Sequence, residues 1–228
     1  MIAEVATLRH LDAAQAATAL AEALARQLAT AVAARGEASL VLSGGRTPLP
    51  MLQVLRRQPL PWADITITLA DERFVPVDHP DSNERLLREV LLQDAAVAAR
   101  FVGLRGTAQD PAQAASEAWQ RLAGVQRPFD AVVLGMGDDG HTASLFPGSP
   151  GIEAALDPVA EPACVALQAP VAPALRLSLN LAALRQARRH YLHFTGDAKW
   201  RTWTASAAQP VSLVLRRLSP PPQLYWAP

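Results

Sequence analysis

Apolar residues along this chain fall into two kinds of run. One kind is short and nearly continuous: "SLVL" (Ser39 to Leu42), "ITITLA" (Ile65 to Ala70), "DAVVLGMG", "CVALQ", "RHYLHF" and "LYWA", with "EVATL" (Glu4 to Leu8) near the N-terminus. Such runs, bounded by turn residues, predict strands. The other kind recurs every fourth residue, as in Leu20, Leu24, Leu28 and Val32. That spacing predicts a long helix with Asp12 as its N-cap and Gly36 as its stop. Further helices are expected near "LPMLQVLRR", at "ERLLREVLL" with Ser82 or Asn83 as cap, and around "PAQAASEAWQRLAG". Strands separated by helices predict an α/β protein with a mainly parallel sheet and helices on both faces. Prolines cluster between elements, at Pro158 to Pro173 and Pro220 to Pro222, and no repeat or linker divides the chain. One domain over residues 1–228 is expected.

In such folds ligands sit beyond the carboxyl ends of the strands. Three polar stretches follow three apolar strands here: "SGGRTP", "ADERFVP" and "GMGDDGHTAS". In the first, Gly44 and Gly45 let the backbone approach a ligand and take positive φ. Its N–H groups, with the hydroxyls of Ser43 and Thr47, suit an anion such as phosphate. The same glycines would serve a bare strand-to-helix turn, and both readings stand. No Gly-Lys-Ser/Thr follows, so this is not a Walker A loop.

The third stretch holds G-x-G-x-x-G at Gly135, Gly137 and Gly140. As a dinucleotide-binding turn it has faults. Two aspartates lie where a pyrophosphate should rest, and the pattern comes after at least three strands instead of on the first βα turn. As a catalytic loop it reads better. Asp139 is two residues from His141, so a carboxylate can orient an imidazole suited to proton transfer near neutral pH. His190 and His193 share a predicted strand at odd spacing, so their side chains face opposite sides, which is poor metal geometry. His10 and His79 have no obvious partners. With no cysteine–histidine cluster and no H-E-x-x-H, neither a metal nor another cofactor is expected.

Charge and composition narrow the partners. The 21 basic and 21 acidic residues cancel, which argues against a nucleic-acid partner. No apolar run is long enough to span a bilayer, and "MIAEVATLRH" lacks the basic start of a signal peptide, so no membrane partner is expected and the cytoplasm is the expected compartment. A single cysteine, Cys164, excludes an internal disulfide framework. Of the 21 basic residues only Lys199 is a lysine. A site wanting a compact point charge, not a planar fork, would explain it; so would chance. The oligomeric state is not encoded in any motif, and a monomer is the expectation.

"LSGGRTP", "ADERFVP...DSNERLL", "LGMGDDGHTASLFPG", "PALRLSLN" and "FTGDAKW" occur in that order over nearly the whole chain. Together they resemble the 6-phosphogluconolactonase family. The resemblance implies a doubly wound, Rossmann-like α/β fold shared with glucosamine-6-phosphate deaminases. It implies a cytosolic hydrolase of the pentose phosphate pathway, acting without a metal on a small-molecule partner, the sugar-phosphate lactone. Carried over residue by residue, His141 is the general base and Asp139 its support, while Arg73 faces the lactone carbonyl. Gly44, Gly45 and Thr47 hold the phosphate with Arg176 and Lys199, which gives the lone lysine a role. Asp71 and Glu72 shape the site. Three rivals stand beside this reading. A deaminase or isomerase of the same fold carries a glutamate five residues after the histidine and an aromatic directly after "DE"; this chain has Phe146 and Arg73 there. A non-catalytic sugar-phosphate sensor would not need His141 and Asp139. A nucleotide-dependent oxidoreductase rests on the three glycines alone.

Overall fold

The computed structural model describes residues 5–205 and 208–228. Its first helix, α1 (Ala13–Arg35), follows the sequence pattern closely. The Asp12 side chain accepts from the Gln15 amide and so satisfies one of the open N–H groups at the helix start. Leu20, Leu24 and Leu28 form a buried stripe, and the helix stops at Gly36. The expected strand over Glu4 to Leu8 forms as β1 (Ala6–Arg9), and Glu4 lies outside the described residues.

The strands β2 (Ala38–Leu42), β3 (Ile65–Leu69), β5 (Arg100–Val102), β6 (Ala131–Leu134), β9 (His190–Thr195) and β10 (Gln223–Ala227) join β1 in one seven-stranded sheet, and every neighbouring pair is parallel. The order is β1-β10-β9-β6-β2-β3-β5. From β2 the chain builds outward through β3 to β5, then returns to the other side of β2 as β6 and continues through β9 to β10. The direction of winding therefore reverses between β2 and β6. Both of these strands are buried at every position, so both faces of the sheet are covered. This is the doubly wound α/β architecture. The buried apolar side chains form one cluster running from α1 to β10. Among the described residues no helix is long and apolar enough to cross a membrane.

The structure departs from the expected plan in "ADERFVP". It is not all loop. At Ala70 the chain leaves the parallel sheet, and Asp71–Arg73 forms β4 in a second, antiparallel sheet. Its other strands are β7 (Cys164–Gln168) and β8 (Leu175–Leu179), in the order β4-β8-β7. "CVALQ" is thus a strand, but it lies outside the parallel sheet. Strands β4, β5 and β8 are not apparent from their own sequences. Charged residues are depleted in strands, and only pairing with a distant segment makes "DER" extended. The helices are α2 (Leu49–Leu55), α3 (Asn83–Val90), α4 (Pro111–Arg121), α5 (Ile152–Ala155), α6 (Leu181–Leu184), α7 (Asp197–Ala205) and α8 (Pro210–Leu215). Ser82, not Asn83, caps α3, its hydroxyl accepting from the Arg85 amide.

Candidate active site

A cavity of about 360 Å³ opens where the winding reverses. Ser43 to Pro48, beyond the end of β2, form one side, and Gly135 to Gly137 with His141, beyond the end of β6, form another. His193 on β9 and Lys199 on α7 complete that part of the wall. A smaller cavity of about 220 Å³ adjoins it, lined by Arg176 and Phe146 among others. Asp71, Arg73, His141 and Ala143 face both.

The loop after β6 is built around the histidine. The Gly137 amide donates to the His141 carbonyl at 2.9 Å, closing the turn. A Cβ on Gly137 would stand 2.1 Å from the His141 ring, so only glycine leaves room for the imidazole. The ring's Nδ1 lies 2.5 Å from Asp139 Oδ1, which also accepts from the His141 amide at 3.1 Å. Burial opposes charge on Asp139, but these contacts with His141 outweigh it and hold the carboxyl below its ordinary value. With Nδ1 engaged by a carboxylate, Nε2 is the nitrogen left to exchange a proton with a ligand. The Phe146 ring packs against the imidazole with centroids 4.1 Å apart. Thr142 Oγ1 donates to the Gly135 carbonyl at 2.8 Å. Thr202 on α7 donates to the Asp138 carbonyl at 3.0 Å, tying the helix that carries Lys199 to this loop.

The second sheet supplies the charged wall. Asp71 accepts from Ser144 Oγ at 2.6 Å. Arg73 and Arg176 are register partners on β4 and β8. The Arg73 guanidinium donates to the Asp81 carbonyl at 2.6 Å. Burial first, and then the charge of Arg73, lower the Arg176 pKa from its ordinary value. Glu72 points the other way. Its fully buried carboxylate accepts from the Arg73, Asn83 and Glu84 amides at 2.7 Å each and from Ser82 Oγ at 3.1 Å. Burial pushes this carboxyl above its ordinary value, against the pull of the three amides. Glu72 thus anchors the start of α3 to β4.

In the turn after β2, Gly45 has φ of 98°. A Cβ on Gly44 would stand 2.0 Å from Asn83 Oδ1. The Asn83 carboxamide occupies that space and donates to the Asp71 carbonyl at 2.9 Å. Ser43 Oγ is buried without a partner at the pocket wall, and Arg46 lines the mouth with its side chain exposed. Among the described residues no group of three or more His, Cys, Asp or Glu is placed to hold a metal ion.

The family model described as glucosamine-6-phosphate isomerases/6-phosphogluconolactonase matches residues 11–226. The chain belongs to this isomerase/lactonase family. A 6-phosphogluconolactonase of Pseudomonas putida is 47% identical over 220 residues, covering 95% of this chain and 90% of that protein. The crystal structure of a 6-phosphogluconolactonase from Shewanella baltica superposes with a TM-score of 0.94 at 41% identity, over all of both chains. A monomeric glucosamine-6-phosphate deaminase superposes with a TM-score of 0.79, covering 98% of this chain and 97% of that one; at 18% identity this speaks for the fold alone.

Within this isomerase/lactonase fold, the structure brings Gly44, Gly45, Thr47, Asp71, Arg73, His141 and Lys199 to one cavity. Arg176 lines the neighbouring cavity beside Arg73, apart from the part of the wall that holds Lys199. Asp139 supports His141, and Glu72 is turned away from the cavity into the fold. Two pocket residues escape the sequence reading. The pattern presents Asn83 only as a possible helix cap, and it offers the spacing of His193 from His190 only as an argument against a metal. That spacing is nonetheless the available signal, since it puts His193 on the strand face opposite His190.

Proposed function

We propose that this protein hydrolyses 6-phospho-D-glucono-1,5-lactone to 6-phospho-D-gluconate, as an enzyme of the oxidative pentose phosphate pathway in the cytoplasm. The observation that carries this reading is the Asp139–His141 pair opening onto the same cavity as Lys199 and the Gly44–Thr47 turn. A base and an anion cradle in one cavity suit a substrate that is both hydrolysable and phosphorylated. The names of the similar proteins support the same substrate.

In this reading the phosphate rests on the Gly44–Thr47 turn and Lys199. Water attacks the lactone carbon and gives its proton to His141 Nε2, while Asp139 steadies the imidazolium that forms. The Arg73 guanidinium, with Arg176 beside it, stabilises negative charge on the carbonyl oxygen. Collapse of the tetrahedral intermediate breaks the bond from this carbon to the ring oxygen, which takes the proton back from His141. The carboxylic acid then loses its proton to solvent. No acyl-enzyme and no metal enters any step. Phe146 offers no carboxylate for the proton transfers that an amino-sugar deaminase requires.

A proton-release assay on freshly prepared lactone tests the proposal. The expected result is release well above the spontaneous rate, unchanged after dialysis against a chelator, and no ammonia from glucosamine-6-phosphate. Release at the spontaneous rate would overturn it.

A further inference from the structure

His193 faces the cavity from β9 but has no part in the chemistry above. It is 3% exposed, yet neither of its ring nitrogens has a hydrogen-bond partner. The contrast with His190 on the same strand is informative. That ring lies 3.0 Å from the Leu184 carbonyl through Nε2 and 3.3 Å from the Pro220 carbonyl through Nδ1. A neutral ring carries one N–H and can donate to one of these carbonyls, and a histidine kept for packing has at least one such bond because buried polar atoms without partners are costly and few. An unsatisfied ring in a cavity wall keeps donor and acceptor capacity that a ligand can meet.

The surroundings of His193 define that ligand. Its register partner on β10 is Tyr225, whose ring stacks on His10 with centroids 5.7 Å apart. Gly135 at the end of β6 lies against its backbone. Lys199 is near enough, with His10, to add to the effect of burial, and the ring's pKa is lowered to about 4. At neutral pH the ring is therefore uncharged and offers one N–H donor and one acceptor nitrogen. A cation would be repelled by Lys199, and an apolar group would leave both nitrogens unpaired. A sugar phosphate satisfies both: a phosphate oxygen for the donor and a hydroxyl for the acceptor.

We propose that His193 is a substrate-binding residue that joins Lys199 and the Gly44–Thr47 turn at the phosphate end of the ligand, donating its ring N–H to a phosphate oxygen. This rests on the lactonase reading for the identity of the substrate.

The test compares His193→Leu and His193→Gln with wild type on 6-phosphoglucono-1,5-lactone and on unphosphorylated glucono-1,5-lactone. In His193→Leu, KM for the phosphorylated lactone should rise about tenfold, the effect of losing one hydrogen bond to a charged group. Its kcat should stay within about twofold, since His141 and Asp139 are untouched. The unphosphorylated lactone, which has no phosphate oxygen to lose, should be affected much less. His193→Gln should recover part of the loss, because an amide also offers a donor and an acceptor. An unchanged KM, or an equal loss on both lactones, would overturn the proposal. Should His193→Leu fail to fold, wild-type protein decides through NMR. The imidazole signal that is missing from His193→Gln should shift when inorganic phosphate or 6-phosphogluconate is added, and an unmoved signal overturns the proposal. Wild-type protein without lactonase activity would remove the proposed function, while the phosphate titration would still judge His193.

Discussion

The seven-stranded sheet shapes the cavity mainly through the loops at its strand ends, with His193 on β9 the exception, whereas the three-stranded sheet shapes it through the strands themselves. After β2 and β6 the chain turns on glycines, and the site receives the Gly44–Thr47 backbone and a histidine held by its own loop. On β4 and β8, Asp71, Arg73 and Arg176 are fixed by strand register. The first wall owes its geometry to local turns. The second owes it to pairing between distant segments. One fold thereby combines a backbone surface suited to an anion with charged side chains that have little freedom to move.

The largest effect should come from the loop side. His141→Gln should lower turnover by about 10²–10⁴-fold, the usual contribution of positioned proton transfer. Binding of 6-phosphogluconate should survive in that variant. Turnover near wild type would show that the strand-borne charges suffice without a base.

Acid should separate the two sheets next. On the parallel sheet, the His193 pKa stands at about 4 against an ordinary 6.5. As pH falls from 6.5 toward 4, the unfolded ring takes up a proton that the folded one refuses, so stability is lost. The loss should approach about 3 kcal/mol by about pH 4. Burial moves His190 in the same direction. Glu72 on the small sheet is raised, so its contribution has the opposite sign: it is present below 4.5 and lost as pH rises through the folded value. Urea unfolding from about pH 7 to about pH 4.5 should show stability falling, with a flatter slope in His193→Leu. Equal slopes would remove His193 as the cause.

Two smaller effects divide backbone from side chain at the proposed phosphate end. Lys199→Met should reduce kcat/KM for the phosphorylated lactone by about 10- to 100-fold and leave glucono-1,5-lactone nearly unaffected. Lys199→Arg should recover only part of this, since a planar fork places its donors differently. An equal fall on both lactones would give Lys199 a role in folding or chemistry instead. Arg46→Ala should change the same ratio by less than about threefold, because an exposed charge is screened by solvent. A larger loss would mean that this turn works through its side chain as well as its backbone.

The two regions also differ in how far the sequence reveals them. The parallel sheet is legible because most of its strands are continuous apolar runs, and its site loops announce themselves through "SGGRTP" and "GDDGH". The small sheet is not. "DER" carries three charges, and "LRLSL" alternates too briefly to stand out from the proline-rich stretch before it. Their extended form depends on each other, and pairing between distant segments leaves no local trace. Asp71 and Arg73 are named by motif resemblance, without the strand that holds them. Glu72 gives no sign in the sequence that its carboxylate turns inward to α3. His193 is hidden differently: its strand is expected correctly, but a lone strand cannot say which face meets a cavity.

The contact between Gly44 and Asn83 constrains the order in which this protein can change. Any side chain at residue 44 needs the space that the Asn83 carboxamide fills. Asn83 in turn is held by the Asp71 carbonyl and, through its amide, by Glu72. A lineage that replaced Gly44 first would meet that clash, whereas one that shortened Asn83 first would lose the hydrogen bond to the Asp71 carbonyl but open the space. The two positions should therefore show strong epistasis, with the double change milder than the sum of the single ones. A library built to alter ligand preference at this turn would need to vary residues 44 and 83 together.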